Sequence, residues 1–126
     1  MAYDLDGIEQ IEKEELKRIY EKQEENRPII IDVREPSEYV EGHIPGVPLL
    51  PMNQVPEVID ELNKDESYVL VCRSGSRSHH TALYFKDNGI EKVKNFAGGM
   101  LAWDSTTETG MENPVEEIEQ LYENRK

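Results

Sequence analysis

Cysteine is nearly absent from this chain: Cys72 stands alone among 126 residues. An intramolecular disulfide is therefore excluded, and with it a disulfide-stapled secreted scaffold and a CxxC redox pair. Histidine is almost as scarce. His43 is distant from the other two, and the adjacent His79 and His80 point to different faces of a helix, so no zinc-ligand spacing exists and no metal is expected. No apolar run approaches the ~20 residues needed to span a bilayer. The stretch from Met1 to Asp6 has no basic segment leading into an apolar one, which makes the cytoplasm the expected location. Positive charge is short as well, with 14 Lys and Arg against 27 Asp and Glu and a net charge of −13. Nucleic acid demands a basic face, and anionic membrane surfaces repel such a chain, so neither is an expected partner. An anionic substrate would meet a repulsive far field, so any anion site must be attractive locally.

What the chain does have is an alternation of strand-like and helix-like segments with no internal repeat and no low-complexity linker. Residues 14–25 read as a helix, with Leu16, Ile19 and Tyr20 on one face and charges elsewhere. Asn26-Arg27-Pro28 breaks it. Ile29-Ile30-Ile31-Asp32-Val33 is the β-branched run of a strand buried on both faces. Residues 47–50 form an edge strand at best, because Pro48 and Pro51 interrupt a ladder. Pro56 opens a short helix to Leu62, with Val58, Ile59 and Leu62 on one face. Residues 68–72 are a second firm strand, 76–88 a helix stopped by Gly89, 92–96 a third strand, and 100–104 a short helix. After a polar loop at 105–112, Asn113 and Pro114 supply an N-cap and a first-turn proline. They predict a last amphipathic helix carrying Val115, Ile118, Leu121 and Tyr122, packed back on the domain. Such alternation implies an α/β domain with a mostly parallel sheet. Ligand crevices of these sheets lie at the C-terminal ends of the strands, and Cys72 ends the run Tyr68-Val69-Leu70-Val71.

The lone thiol thus occupies a strand-to-helix turn, where backbone N–H groups and the positive helix end converge. Arg73 and Arg77 add two guanidinium groups within five positions. That environment lowers a thiol pKa and gathers anions. From Arg73 to Ser78 the loop can present successive N–H groups as a nest around sulfur. Gly75 supplies a positive φ or a close backbone approach, and Ser74 and Ser76 add hydroxyl donors.

Four blocks complete the pattern. They are Asp32-Val33-Arg34-Glu35-Pro36-Ser37-Glu38-Tyr39, Gly42-His43-Ile44-Pro45-Gly46, Cys72-Arg73-Ser74-Gly75-Ser76-Arg77-Ser78, and Gly98-Gly99-Met100 with Trp103. In order and spacing, over residues 8–104, they resemble the signature blocks of single-domain rhodanese-like proteins. The resemblance implies a rhodanese-like domain at 1–104, with residues 105–126 as loop and packed helix. It also implies a five-stranded, mostly parallel sheet flanked by helices and a sulfurtransferase of the thiosulfate:cyanide type. Cys72 would carry a persulfide and Arg73 and Arg77 would hold an anionic sulfur donor. Gly75, Ser74, Ser76 and Ser78 would shape the loop, without cofactor or metal. Having no second cysteine, such a protein passes sulfur to an external acceptor, a thiol or a protein. Asp32 is expected to buttress the loop or Arg34, and Arg34 to form an ion pair inside the fold. His43 should stabilise a turn, Trp103 should lie in the core, and His79 and His80 should face solvent, the alternative being that one of them faces the pocket and helps select substrates. Two alternatives stand beside this reading. One is a cysteine phosphatase or arsenate reductase, although that class places an arginine where Ser78 stands. The other is a rhodanese module used only for binding.

Overall fold

Two apolar runs organise the molecule. In the computed structural model, which describes residues 3–22 and 27–123, Ile29–Asp32 (β3) and Tyr68–Val71 (β4) lie parallel, with Ile30 opposite Val69 and Asp32 opposite Val71. Every residue of both strands is buried, because helices cover both faces of the sheet. Val93–Phe96 (β5) joins β4 in parallel, and Ile8–Ile11 (β2) joins β5 in parallel. Tyr3–Leu5 (β1) closes that edge as an antiparallel hairpin with β2, giving the order β1-β2-β5-β4-β3. The five-stranded, mostly parallel sheet expected from the sequence is observed, with four of its five strands parallel.

Strand alternation sorts side chains into two cores. Ile29, Ile31, Tyr68, Leu70 and Cys72 face Ala82 and Phe85 of the helix Ser76–Asp87 (α4), together with Val55, Ile59, Ile118 and Leu121. Ile30, Val69 and Val71 face the opposite layer, where Leu16 of Lys13–Glu21 (α1), Ile44, Phe96 and Trp103 pack. Cys72 therefore belongs to the α4 side of the sheet by parity alone.

Several elements differ from expectation. The β1–β2 hairpin was not anticipated, although Asp6-Gly7 is a two-residue turn signal and both residues have positive φ, +57° and +85°. The helix Pro36–Glu41 (α2) was also missed. Its signal is Glu35 and Glu38, whose side chains and backbone N–H groups form a reciprocal capping box around a first-turn proline. α1 ends at Glu21 with Lys22 extended, and residues 23–26, which held the rest of the expected helix and Asn26 of the break, lie outside the described residues. The helix begun near Pro56 is Val55–Val58 (α3) followed by a 3-10 turn at Ile59–Glu61. The helix after β5 is Gly99–Ala102 (α5) rather than 100–104.

The last helix needs the largest correction. Among the described residues of this segment, only Gln120–Glu123 (α6) is helical. Asn113 and Pro114 do not cap it, because they are committed to the segment at 47–50. Leu49 N–H donates to Asn113 O and Val115 N–H to Leu49 O, both at 2.9 Å. That segment in turn makes a single bridge to Asp32 rather than a ladder strand. Tertiary backbone pairing outweighed a local cap worth about 1 kcal/mol. Ile118 and Leu121 are nevertheless buried in the α4-side core.

Candidate active site

β4 ends at Val71 and α4 begins at Ser76, so the intervening turn must reverse the chain within four residues. Gly75 makes this possible with φ +94°. A Cβ there would sit 2.0 Å from Ala97 O, so no larger residue fits the backbone as it stands. The loop's carbonyls are tied outward. Met100 N–H donates to Cys72 O (2.8 Å), Leu101 N–H to Arg73 O (3.0 Å) and Asn95 Nδ2 to Gly75 O (3.0 Å). With the carbonyls held outside, N–H groups turn inward. Gly75 N–H lies 3.1 Å from Cys72 Sγ, and the Ser78 N–H and hydroxyl lie 3.3 Å from it.

Cys72 is fully buried. Burial pushes its thiol pKa up. The hydroxyl and N–H of Ser78 and the N–H groups of Gly75 and Ser74 push the other way and prevail, holding the pKa below its ordinary value. The site is thus a thiolate cradle built mostly from backbone, which suits an anionic sulfur.

The two arginines behave differently. Arg73 is exposed and has no ion-pair partner among the described residues. Arg77 is half-buried and clamps Glu38 of α2 with two bonds of 2.7 and 2.8 Å. The Arg77 guanidinium bonded to Glu38 lowers that carboxyl's pKa to about 2. Arg77's own pKa is raised, first by Glu38 and less by the Cys72 charge. Glu38 was not singled out from the sequence, and only the fold brings it 39 positions along the chain to Arg77.

Ser74 and Ser76 are exposed. Ser74 acts on Cys72 through its backbone N–H. Ser78 supplies the hydroxyl within hydrogen-bond distance of Sγ. Asp32 and Arg34 come to the same end of the sheet but satisfy each other. Arg34 Nη2 and Nε reach the Asp32 carboxylate at 2.8 to 3.1 Å, and Nη2 also donates to Gly42 O. Their exposures of 1% and 5% place this pair inside the structure, where β3 gives way to the connection leading to α2. His43 stacks on Tyr39 with ring centres 3.8 Å apart, bonds Tyr39 O and Glu112, and so ties the 42–46 turn to the C-terminal segment. Trp103 is buried on the α1 side, its indole N–H donating to Thr106 O.

The expectation that both α4 histidines face solvent fails for His79. It is 9% exposed and bonded to Gln10 and to Asp6 of the hairpin. The unrecognised hairpin covers it. His80 is exposed and, with Met52, Val55, Pro56, Thr81 and Tyr84, borders a shallow apolar groove beside α4. Two further residues were missed. Asn95 bonds the Ser78 hydroxyl at 2.5 Å, and Gln10 bonds Asn95 at 2.8 Å. Both are buried polar side chains in strands covered on both faces, and that anomaly was the available signal.

Among the described residues there is no group of side chains suited to a metal ion and no helix long and apolar enough to cross a membrane.

Comparison with known proteins agrees with this geometry. The Rhodanese-like domain model matches residues 12–106. A Bacillus subtilis protein named putative sulfurtransferase YtwF is 41% identical over 100 residues, covering 79% of this chain and 94% of that protein. Thiosulfate sulfurtransferase GlpE of Pseudoalteromonas translucida is 34% identical over 77 residues, covering 61% and 73%. The crystal structure of a rhodanese-like domain protein from Staphylococcus aureus superposes with TM-score 0.71 at 36% identity, covering 80% of this chain and 97% of that one.

Proposed function

This chain belongs to the rhodanese-like domain family, and from that premise we propose that it is a sulfurtransferase working through a persulfide on Cys72. The observation that carries the reading is the cradle itself. One buried sulfur has two backbone N–H groups and a hydroxyl oxygen within 3.1 to 3.3 Å, which is provision for an anion on sulfur. Relatives bearing the names sulfurtransferase and thiosulfate sulfurtransferase support the same chemistry.

In the first half-reaction the Cys72 thiolate attacks the sulfane sulfur of thiosulfate or of a low-molecular-weight persulfide. The new S–S bond forms as the donor's bond breaks, and the electron pair leaves with sulfite or with the donor thiolate. In the second, a thiol, a protein thiol or cyanide attacks the outer sulfur, and the electron pair returns to Sγ as thiolate. No net oxidation of the protein occurs and no cofactor takes part. Arg73 offers an accessible guanidinium for the donor's anionic head. Arg77 offers a second, held back by Glu38. Ser74, Gly75, Ser76 and Ser78 carry the loop. Asp32 at the end of β3 and Arg34 just after it pair with each other rather than with the loop. The acidic exterior makes these two arginines the local attraction that a dianion requires.

Against the phosphatase reading stands the occupancy of the loop. Its N–H groups already converge on Sγ, where a tetrahedral oxyanion would need them splayed wider.

Intact mass spectrometry after incubation with thiosulfate, and separately with glutathione persulfide, tests the proposal. A gain of one sulfur, about 32 Da, that disappears with cyanide and never forms on Cys72→Ala is the expected result. Failure of both donors to load a thiol that remains alkylatable refutes sulfur transfer and leaves the binding module.

A further inference from the structure

Ser78 has one hydroxyl hydrogen and two claims on it. Its Oγ lies 2.5 Å from Asn95 Oδ1 and 3.3 Å from Cys72 Sγ. A hydroxyl donates once, so only one of these can receive the proton at a time.

Two backbone carbonyls decide the polarity of everything behind Ser78. Asn95 bonds Gly75 O at 3.0 Å, so the atom on that side is its NH2, and Oδ1 is the atom facing Ser78. Oδ1 can only accept. Gln10 bonds Ile8 O at 3.2 Å, so its NH2 lies on that side and its Oε1 accepts from Asn95 at 2.8 Å. Gln10 Nε2 then donates to His79 Nδ1 at 3.0 Å, which puts the histidine proton on Nε2, 2.9 Å from Asp6 Oδ2. Every donor points the same way, from Ser78 through Asn95, Gln10 and His79 to the Asp6 carboxylate. Such chains strengthen their members. Gln10, Asn95, Ser78 and His79 are 0 to 9% exposed, so water competes poorly for these groups.

The geometry points to Asn95 as a positioning residue that makes the Ser78 hydroxyl a two-position switch for Cys72. While the sulfur is neutral, the hydroxyl donates to Asn95 and its lone pair accepts the S–H. When Sγ becomes anionic, the hydroxyl rotates onto it and Asn95 Oδ1 is released. No covalent bond changes, since only the O–H direction moves. In sulfur transfer the switch turns toward Sγ as the acceptor breaks the persulfide and Sγ departs as thiolate. It turns back when a new persulfide consumes that charge. This inference rests on Cys72 being the nucleophile proposed above. Asn95 and its chain thereby oppose ionisation of the resting thiol, and removing them makes the thiolate easier to form.

Other charged or titratable groups act at this end of the sheet: Arg73 of the loop, Arg77, His79 and His80 of α4, Glu35 and Glu38 at the start of α2, Asp32 at the end of β3 with Arg34 just after it, and Asp6 in the hairpin. They are common to all the variants below and cancel in a double-mutant cycle.

The test is the pH dependence of Cys72 alkylation by iodoacetamide, measured on the full chain for wild type, Asn95→Ala, Ser78→Ala and the double variant. A neutral hydrogen bond of ordinary net strength corresponds to about half to one pH unit. The effect of Asn95→Ala on the midpoint should therefore be lower by about that much in the wild-type background than in the Ser78→Ala background. Loosening of Gly75, the structural role of Asn95, moves both backgrounds alike and drops out. Gln10→Leu provides a second variant that leaves Asn95 in place and should show the same sign with a smaller shift. Equal shifts in the two backgrounds, or an opposite sign, overturn the switch; if Asn95→Ala does not fold, the Gln10→Leu pair decides. Alkylation needs no sulfur donor, so the cycle can be read even if persulfide loading fails, and a loaded persulfide with a null cycle removes the switch alone.

Discussion

Replacing Gly75 by alanine tests whether the loop's backbone, rather than its arginines, tunes the Cys72 thiol. The new Cβ would stand 2.0 Å from Ala97 O and 2.7 Å from Ala97 C, both backbone atoms of the strand-to-helix connection after β5. That connection is itself held, because Ala97 N–H donates to Ile11 O at 3.0 Å. Relief to even ~3 Å requires the loop to retreat by about 1 Å, which takes Gly75 N–H out of hydrogen-bond reach of Sγ, now 3.1 Å away. A donor to a charged group contributes about 1.5 to 3 kcal/mol, or roughly one to two pH units. The alkylation midpoint of Cys72 should therefore rise by that amount, back toward or above the ordinary thiol value of ~8.5. Gly110→Ala is the control: its φ of +91° nearly equals that of Gly75, but nothing lies within 4 Å of the added Cβ. Both variants incur the left-handed backbone cost of about 1 to 2 kcal/mol, some 3 to 8 °C in Tm for a chain of this size. Only Gly75→Ala should add a further Tm loss and move the midpoint. A Gly75→Ala protein with the wild-type midpoint would refute the cradle account.

Two predictions concern the Arg77–Glu38 clamp. If Arg77 serves an anionic donor, Arg77→Ala should raise KM for thiosulfate about three- to tenfold, a hydrogen-bonded charge discounted for partial exposure, and Glu38→Gln should lower it by releasing the guanidinium. Steady-state kinetics checks this, and an unchanged KM in Arg77→Ala moves the anion site elsewhere. The second is pH dependence. Glu38's carboxyl is depressed to about 2, chiefly by Arg77, so its contribution to stability is complete above the unfolded value of ~4.3 and is lost as pH falls through about 2. Urea unfolding should therefore show wild type more stable than Glu38→Gln at pH 5, with the difference gone near pH 2. A difference that persists there would mean Glu38 stabilises by packing, not by charge.

The framework of the site was legible in the chain because its determinants are local. A continuous β-branched run must be buried on both faces, a glycine after a strand allows the turn, and a thiol at that turn meets the N–H groups of the helix it precedes. β3, β4, β5, α4 and the position of Cys72 all follow from such short-range rules. The hairpin at Asp6-Gly7 and the Glu35/Glu38 capping box are equally local signals, set among many other acidic residues. The C-terminal segment misled for a different reason. Asn113 and Pro114 carry a sound local cap signal, but Leu49, 64 positions away, offers backbone partners that a short helix cannot match.

Sequence by itself determined the lone thiol and its place at a strand-to-helix turn, the parity that turns Cys72 toward α4, and the charge that leaves an anion few places to bind. Only the tertiary structure decided what surrounds the sulfur. It assigned Arg77 to Glu38, Arg34 to Asp32, and Ser78's hydroxyl to both Asn95 and Sγ, and it buried His79 beneath a hairpin more than seventy positions away. Those pairings depend on distances of a few tenths of an ångström between groups remote in the chain. Residue type sets what a group can donate or accept, whereas packing sets which partner comes within reach.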